Sequence, residues 1–128
     1  PCDAKLEMST YIPGTLFSVN AQTSQHIPRL FARNERLVMS LACEQGRIAM
    51  VLVGAAIVAA IQPFWQDHPL TARRFEVRTM NSVEVAQGQE AGRFLLGSTV
   101  ILLSEWSTDW AFESGEPIQM GDTLIPSL

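Results

Sequence analysis

The alternation of apolar and polar positions along the chain reads mostly as short strands. Residues 35–43 and 47–53 flank Glu44-Gln45-Gly46, where glycine can take positive φ, and this predicts a hairpin. Residues 55–61 keep the apolar character, and a kink at Gly54 would let them continue the same sheet. Over 73–80, Phe75 and Val77 alternate with Arg74, Glu76 and Arg78, the period of a strand with one wet face. Asn81-Ser82 predicts a turn, with a short strand over 83–86. Gly88, Gly92 and Gly97 punctuate the next stretch, and 99–103 is an unbroken apolar strand expected to be buried on both faces. The one weak helix or turn candidate, 24–31, is limited by Pro28. Strands at this spacing predict a mainly β fold, a single antiparallel domain that is sandwich-like or barrel-like with little helix.

Composition narrows the function. The 128 residues are 47% hydrophobic and 17% charged, ordinary for one globular domain. A formal charge of -4 argues against nucleic acid as a partner, which would require a basic face. Cys2 and Cys43 form neither a disulfide framework nor a zinc-ligand pattern and read as free thiols. The longest apolar run, 48–61, falls short of the roughly 18 residues that suggest a membrane span. Lys5 is the only lysine and lies near the start, which argues against pyridoxal phosphate and against a biotinyl or lipoyl hairpin. His26 and His68 stand alone without a third ligand, so no metal is expected. No G-x-S-x-G elbow or phosphate loop is present.

One segment stands out. Residues 88–99 carry Gly88, Gly92 and Gly97 and end in Gly97-Ser98-Thr99 before the apolar strand. Read on spacing alone, this is a glycine-rich turn leading into a strand. The Gly-Ser pair is also what backbone self-cleavage needs, because glycine leaves its carbonyl unhindered and serine supplies an internal nucleophile. Ser18 reads equally as a turn serine or a group facing a site. Arg33, Asn34, Glu35 and Arg36 read as a solvated run or an ion-paired turn. Phe17 and Phe94 read as core, and Trp65, Trp106 and Trp110 as core or interface residues.

The segment resembles the pattern Gly-x-Glu-x-Gly-x-Phe-x-x-Gly-Ser-Thr of bacterial phosphatidylserine decarboxylases, matched at Gly88, Glu90, Gly92, Phe94, Gly97, Ser98 and Thr99. Three further blocks fall in the family's order: 11–20 (Tyr-Ile-Pro-Gly, then Leu-Phe-Ser-Val-Asn), 30–36 (Leu-Phe-Ala-Arg-Asn-Glu-Arg) and 52–58. Residues 63–85 and the tail after Ser104 match less well.

The resemblance implies a self-cleaving proenzyme. The Ser98 hydroxyl would attack the Gly97 carbonyl, turning the amide into an ester. Elimination and hydrolysis would then release ammonia and leave a pyruvoyl group at position 98. That ketone would form a Schiff base with the amine of phosphatidylserine and accept electrons as carbon dioxide leaves, giving phosphatidylethanolamine. By the same resemblance, Ser18, Phe17 and Thr99 are substrate-site candidates, while Gly88, Glu90, Gly92, Phe94, Arg33, Asn34 and Glu35 form a structural motif. Family members use an Asp-His-Ser arrangement for cleavage, with its histidine upstream of the segment matching Pro1-Cys2. The chain is therefore expected to be the carboxy-terminal part of a longer proenzyme, inactive by itself. The missing amino-terminal part would join it and dock it peripherally on the cytoplasmic face of the membrane, and a homodimer is compatible with this. Two alternatives are a non-catalytic carrier-like or transport-like β-sandwich, suggested by the turn over 115–124, and a pyruvoyl decarboxylase with another amine substrate.

Overall fold

A computed structural model describes residues 1–56, 60–70, 74–95, 99–107 and 109–126. Among these residues, seven strands and two short helices follow one another as β1 (Ala4–Ile12), α1 (Ala21–His26), α2 (Leu30–Arg33), β2 (Arg36–Cys43), β3 (Gly46–Val53), β4 (Ile61–Pro63), β5 (Glu76–Val85), β6 (Gly92–Phe94) and β7 (Thr99–Ser104). Five strands form an open sheet in the order β5-β1-β2-β3-β7, and β4 pairs with β6 in a second, two-stranded sheet. Every pairing between these strands is antiparallel. The fold is mainly β with little helix, as the pattern predicts, and the large sheet has two free edges instead of closing into a barrel.

The expected hairpin is β2–β3, paired from Arg36↔Val53 to Cys43↔Gly46, with Gly46 at φ 140. Alternate residues of its strands, Leu37, Met39, Leu41, Ile48, Met50 and Leu52, are buried. They build the core with Leu6 of β1 and with Ile61 and Leu70. The period-two pattern thus fixes which face points inward.

Strand β1, central in the sheet, escapes the sequence pattern. Its register shifts between Leu6 and Met8, so the inward set runs Ala4, Leu6, Ser9, Tyr11 and no single period of two describes it. The partner strand carries the matching irregularity: Met8 faces Thr79 and Leu6 faces Val83. Asn81-Ser82 is therefore the extra length of a bulge inside one continuous β5, not a turn between two strands.

Three further expectations are corrected. Phe75 and Val77 are 62% and 49% exposed, so they do not line the buried face. Pairing with Thr10 turns Val77 to the outer face, while Glu76 and Arg78, opposite Tyr11 and Ser9, share the inner one and form an ion pair. Strand β7 is not buried on both sides, because it lies at the sheet edge, and Val100 and Leu103 are 50% and 58% exposed. The segment after Gly54 does not continue the large sheet, since Ile61 pairs with Phe94 in the small one. Gly54 N donates to Glu35 O at 2.8 Å, which bends the chain away at that point. Residues 57–59, 71–73 and 96–98 lie outside the described residues, and with them parts of the predicted strands over 55–61 and 73–80.

Candidate active site

Gly97 and Ser98 lie outside the described residues, but both flanks of the pair are anchored. On one side β6 pairs with β4, Ile61↔Phe94 to Pro63↔Gly92, and Leu95 N donates to Ala60 O at 3.3 Å. A side chain at Gly92 would put its Cβ 2.9 Å from Gln62 O and 3.2 Å from Pro63 Cα, so the close approach of β6 to β4 requires glycine there. Phe94 packs partly buried against the core. Gly88 takes φ 75 in the preceding turn, and Glu90 forms an exposed two-point ion pair with Arg93, at 2.6 and 3.1 Å. An exposed pair of this kind orients the turn more than it stabilises the fold.

On the other side, Thr99 pairs with Val53 at the start of β7. Next to Val53 the chain reaches Gly54, where three matched sequence blocks meet. Asn34 is fully buried and organises the meeting. Its Nδ2 donates to Phe17 O at 2.8 Å and Gly54 O at 2.9 Å, and its Oδ1 accepts from Phe17 N at 3.0 Å and Thr15 Oγ1 at 3.3 Å. All four hydrogen-bonding positions of the amide are used, the condition under which a buried polar side chain stabilises. Thr15 N donates to Arg33 O, and Glu35 N donates to Thr15 O, each at 2.9 Å. Gly14 closes against the same backbone, and a Cβ there would lie 2.3 Å from Arg33 O.

The Leu-Phe-Ser-Val-Asn block is thus pinned at Phe17. The Arg33 guanidinium stacks over the Phe17 ring, 4.8 Å from its centroid. Ser18 is exposed, and Asn20 ends the block as the N-cap of α1. Asn20 Oδ1 accepts from Gln22 N and Thr23 N at 3.0 Å each, and Asn20 N donates to Thr23 Oγ1, completing a capping box. Arg29 at φ 57 separates α1 from α2, so the predicted helix over 24–31 becomes two short pieces around Pro28.

Behind Asn34, Glu35 turns inward toward Tyr11. Burial pushes the Glu35 carboxyl up, opposed in part by its polar contact with Tyr11. The Tyr11 phenol is pushed up to about 12, by burial first and then by the carboxylate beside it. Glu35 Oε1 is buried with no hydrogen-bond partner among the described residues. Asn34 is therefore a buried polar group and Glu35 a half-buried one, not members of a solvated charge run. That difference was not legible in the sequence, because Arg33 and Arg36 on either side give the tetrapeptide a surface-like composition.

The remaining titratable candidates do not join this cluster by any contact. His26 is exposed on α1 with Nδ1 2.7 Å from Gln22 O, and His68 is exposed in the loop after β4. No group of three His, Cys, Asp or Glu able to hold a metal occurs among the described residues. Cys2 and Cys43 are free thiols. Trp65 and Trp106 pack against the core, whereas Trp110 is 46% exposed. Trp110, Leu102 and Leu124 wall an apolar groove of about 250 Å³ along the inner side of β7.

These features describe a mainly antiparallel β domain in which Leu95 and Thr99, the described residues flanking a Gly-Ser pair in sequence, are held by hydrogen-bonded backbone, and Thr99 pairs with Val53 next to a buried polar junction. The phosphatidylserine decarboxylase family model matches residues 1–126, and the chain belongs to that family. It is 46% identical over 119 residues to the phosphatidylserine decarboxylase proenzyme of Methylobacillus flagellatus, covering 90% of this chain and 42% of that protein. The proenzyme of Haemophilus influenzae is 42% identical over 132 residues, covering 97% of this chain and 46% of its own. That of Ectopseudomonas mendocina is 40% identical over 133 residues, with the same 97% and 46% shares. The chain spans less than half the length of these curated relatives. Among the described residues no helix is long and apolar enough to cross a membrane.

Proposed function

We propose that the protein to which this chain belongs decarboxylates phosphatidylserine to phosphatidylethanolamine, after cutting itself between Gly97 and Ser98. The observation that carries this reading is the family's Gly-Ser-Thr signature lying between two hydrogen-bonded anchors, Leu95 at β6 and Thr99 at β7. The required electrophile is a pyruvoyl group made from Ser98, which would withdraw electrons from the bond that loses carbon dioxide. The residues present fit it: the Gly97-Ser98 pair supplies its atoms, and the described residues on either side, Leu95 and Thr99, are held by Ala60 and Val53. Thr99 is held against Val53 and Phe17 is held by Asn34, so the two substrate-site candidates approach from opposite arms of one junction around Gly54. Ser18, exposed beside Phe17, is available to bind a polar head group. The apolar groove along β7 supports a substrate with acyl chains.

The base for self-cleavage comes from the part of the proenzyme outside this chain, in keeping with the isolated positions of His26 and His68. That part also joins the domain to the cytoplasmic face of the membrane. The test is decarboxylation of phosphatidylserine vesicles by full-length protein with neither pyridoxal phosphate nor metal added. Borohydride should trap substrate on the chain that begins at residue 98. Activity lost to a chelator and restored by metal would contradict the cofactor assignment, and activity on another amine-bearing acid alone would contradict the substrate.

A further inference from the structure

Between β1 and β2 the chain leaves the sheet, and residues 18–33 form a lobe closed at its neck. Phe17 N donates to Asn34 Oδ1 at 3.0 Å, Asn34 Nδ2 donates back to Phe17 O at 2.8 Å, and Thr15 N donates to Arg33 O at 2.9 Å. Between Phe17 and Asn34 only Leu30 is buried. A surface loop whose ends meet in this way is a frequent carrier of binding function. Its charge differs from that of the rest of the chain. Residues 12–34 contain no Asp or Glu, although the chain has 13 of them and a net charge of -4.

Arg29 and Arg33, the lobe's two arginines, are both exposed. Among the described residues the ion pairs occupy Lys5, Arg47, Arg78 and Arg93, and neither Arg29 nor Arg33 has a carboxylate partner. Stacking over the Phe17 ring fixes the plane of the Arg33 guanidinium and leaves its N–H edges facing outward. Arg29 sits at φ 57, the one positive value outside glycine among the described residues. Glycine would take that backbone at lower cost, and the Arg29 side chain makes no capping hydrogen bond to α2 in return. A strained position that keeps a side chain the fold does not use points to a use outside the fold. Between the two arginines, α2 buries Leu30 and turns Phe31 outward, 36% exposed. Unpaired guanidinium groups on either side of an exposed aromatic ring suit an anionic lipid surface, where phosphates accept from the cations and the ring enters the headgroup boundary. An acidic protein would also satisfy the arginines, but the neck favours lipid. Phe17 and Asn34, which close it, also build the junction at Gly54 beside the Val53–Thr99 pair, so a surface held by the lobe adjoins the site whose proposed substrate is a membrane lipid.

We infer that the 18–33 lobe docks on an anionic phospholipid surface, with Arg29 and Arg33 on headgroup phosphates and Phe31 in the headgroup layer. The inference rests on the proposed function for the choice of lipid over protein, and goes beyond it in giving this chain a membrane contact of its own. Its test reads binding to a lipid that is not the proposed substrate, so its failure and a failure to decarboxylate phosphatidylserine are seen separately.

The experiment uses the full-length protein, sedimented with vesicles of phosphatidylglycerol and phosphatidylcholine in equal parts or of phosphatidylcholine alone. Arg29→Gly and Arg33→Gln should each lower the partition coefficient on the mixed vesicles roughly fivefold, the worth of one cation at an anionic surface, and leave that on pure phosphatidylcholine unchanged. Arg29→Gly should not lower the midpoint of thermal unfolding, because glycine suits the backbone there, and this separates lost binding from lost folding. A photoreactive benzophenone amino acid in place of Phe31 reads position. On illumination with mixed vesicles, the peptide carrying residue 31 should gain the mass of a phospholipid. Cross-links from residue 31 to another protein segment or a second copy in place of lipid would assign the lobe to a protein partner and overturn the inference. Partition unchanged in both arginine variants, or lowered equally on pure phosphatidylcholine, would overturn it as well.

Discussion

Asn34 is the residue on which the candidate site's geometry depends most. Replacing it with alanine would leave Phe17 N, Phe17 O and Gly54 O without their partners in a buried place. Unsatisfied buried polar groups of this kind make a loss of roughly 2–4 kcal/mol the expected result for Asn34→Ala, measured by urea unfolding of the full-length protein. Asn34→Asp keeps an acceptor for Phe17 N but removes both donated bonds, and should fall between alanine and wild type. The neighbouring Tyr11–Glu35 pair sets a pH dependence whose sign follows from the upward shifts. The Tyr11 contribution is fully present below its ordinary value of 10.0 and is lost as pH rises through about 12. Tyr11→Phe should therefore flatten the fall in stability over that window. Glu35, also shifted up, favours the folded state most when protonated, and that contribution is lost as pH rises through its raised value. Glu35→Gln should gain stability relative to wild type at neutral pH and match it in acid, read by thermal unfolding across pH.

At the scale of elements, the register of β6 against β4 sets the approach to the Gly97-Ser98 segment from its amino-terminal side. Gly92→Ala forces a Cβ into Gln62 O and Pro63, which are backbone atoms unable to swing aside. Its expected effect is a tenfold or greater slowing of self-cleavage with Ser98 intact, followed by gel densitometry of the two product chains; Gly88→Ala, at φ 75 with open space around it, should act through backbone strain alone and slow cleavage less. The same scale shows what the sequence could reveal. The β2–β3 hairpin was legible because two strand-length runs flank Glu44-Gln45-Gly46, where glycine permits the turn. Strand β1 was hidden by the shift between Leu6 and Met8, and β5 was split in two by the matching irregularity at Asn81-Ser82. The orientation of Phe75 and Val77 was misread because apolar residues were assigned to the core, whereas the outer face is itself apolar. The burial of β7 was overestimated since strand order, which places it at an edge, leaves no mark on its own residues. For the site, the matched blocks meet around Gly54, but the burial of Asn34 comes from contacts 17 and 20 positions away in sequence and leaves no local mark.

The described domain is a five-stranded sheet whose inner face holds the core, with β4 and β6 paired in a second sheet. The described residues on either side of Gly97-Ser98 are held, Leu95 by Ala60 and Thr99 by Val53, so after a cut there β7 would stay paired with β3. On the function proposed above, the domain would supply the nucleophile and the scaffold, and the rest of the proenzyme the base and the membrane contact. General-base help in such a step is worth roughly 10²–10⁴-fold, which makes the separation of nucleophile and base a control on when cleavage happens. The most direct measurement is the intact mass of the full-length protein after expression, alongside Ser98→Ala. The account predicts two chains for the wild type, the larger ending at Gly97 and the smaller starting at residue 98 with a ketoacyl terminus that resists Edman degradation, and one uncut chain for Ser98→Ala. A wild-type protein that stays whole, or two chains whose masses place the cut at any bond other than Gly97-Ser98, would contradict it.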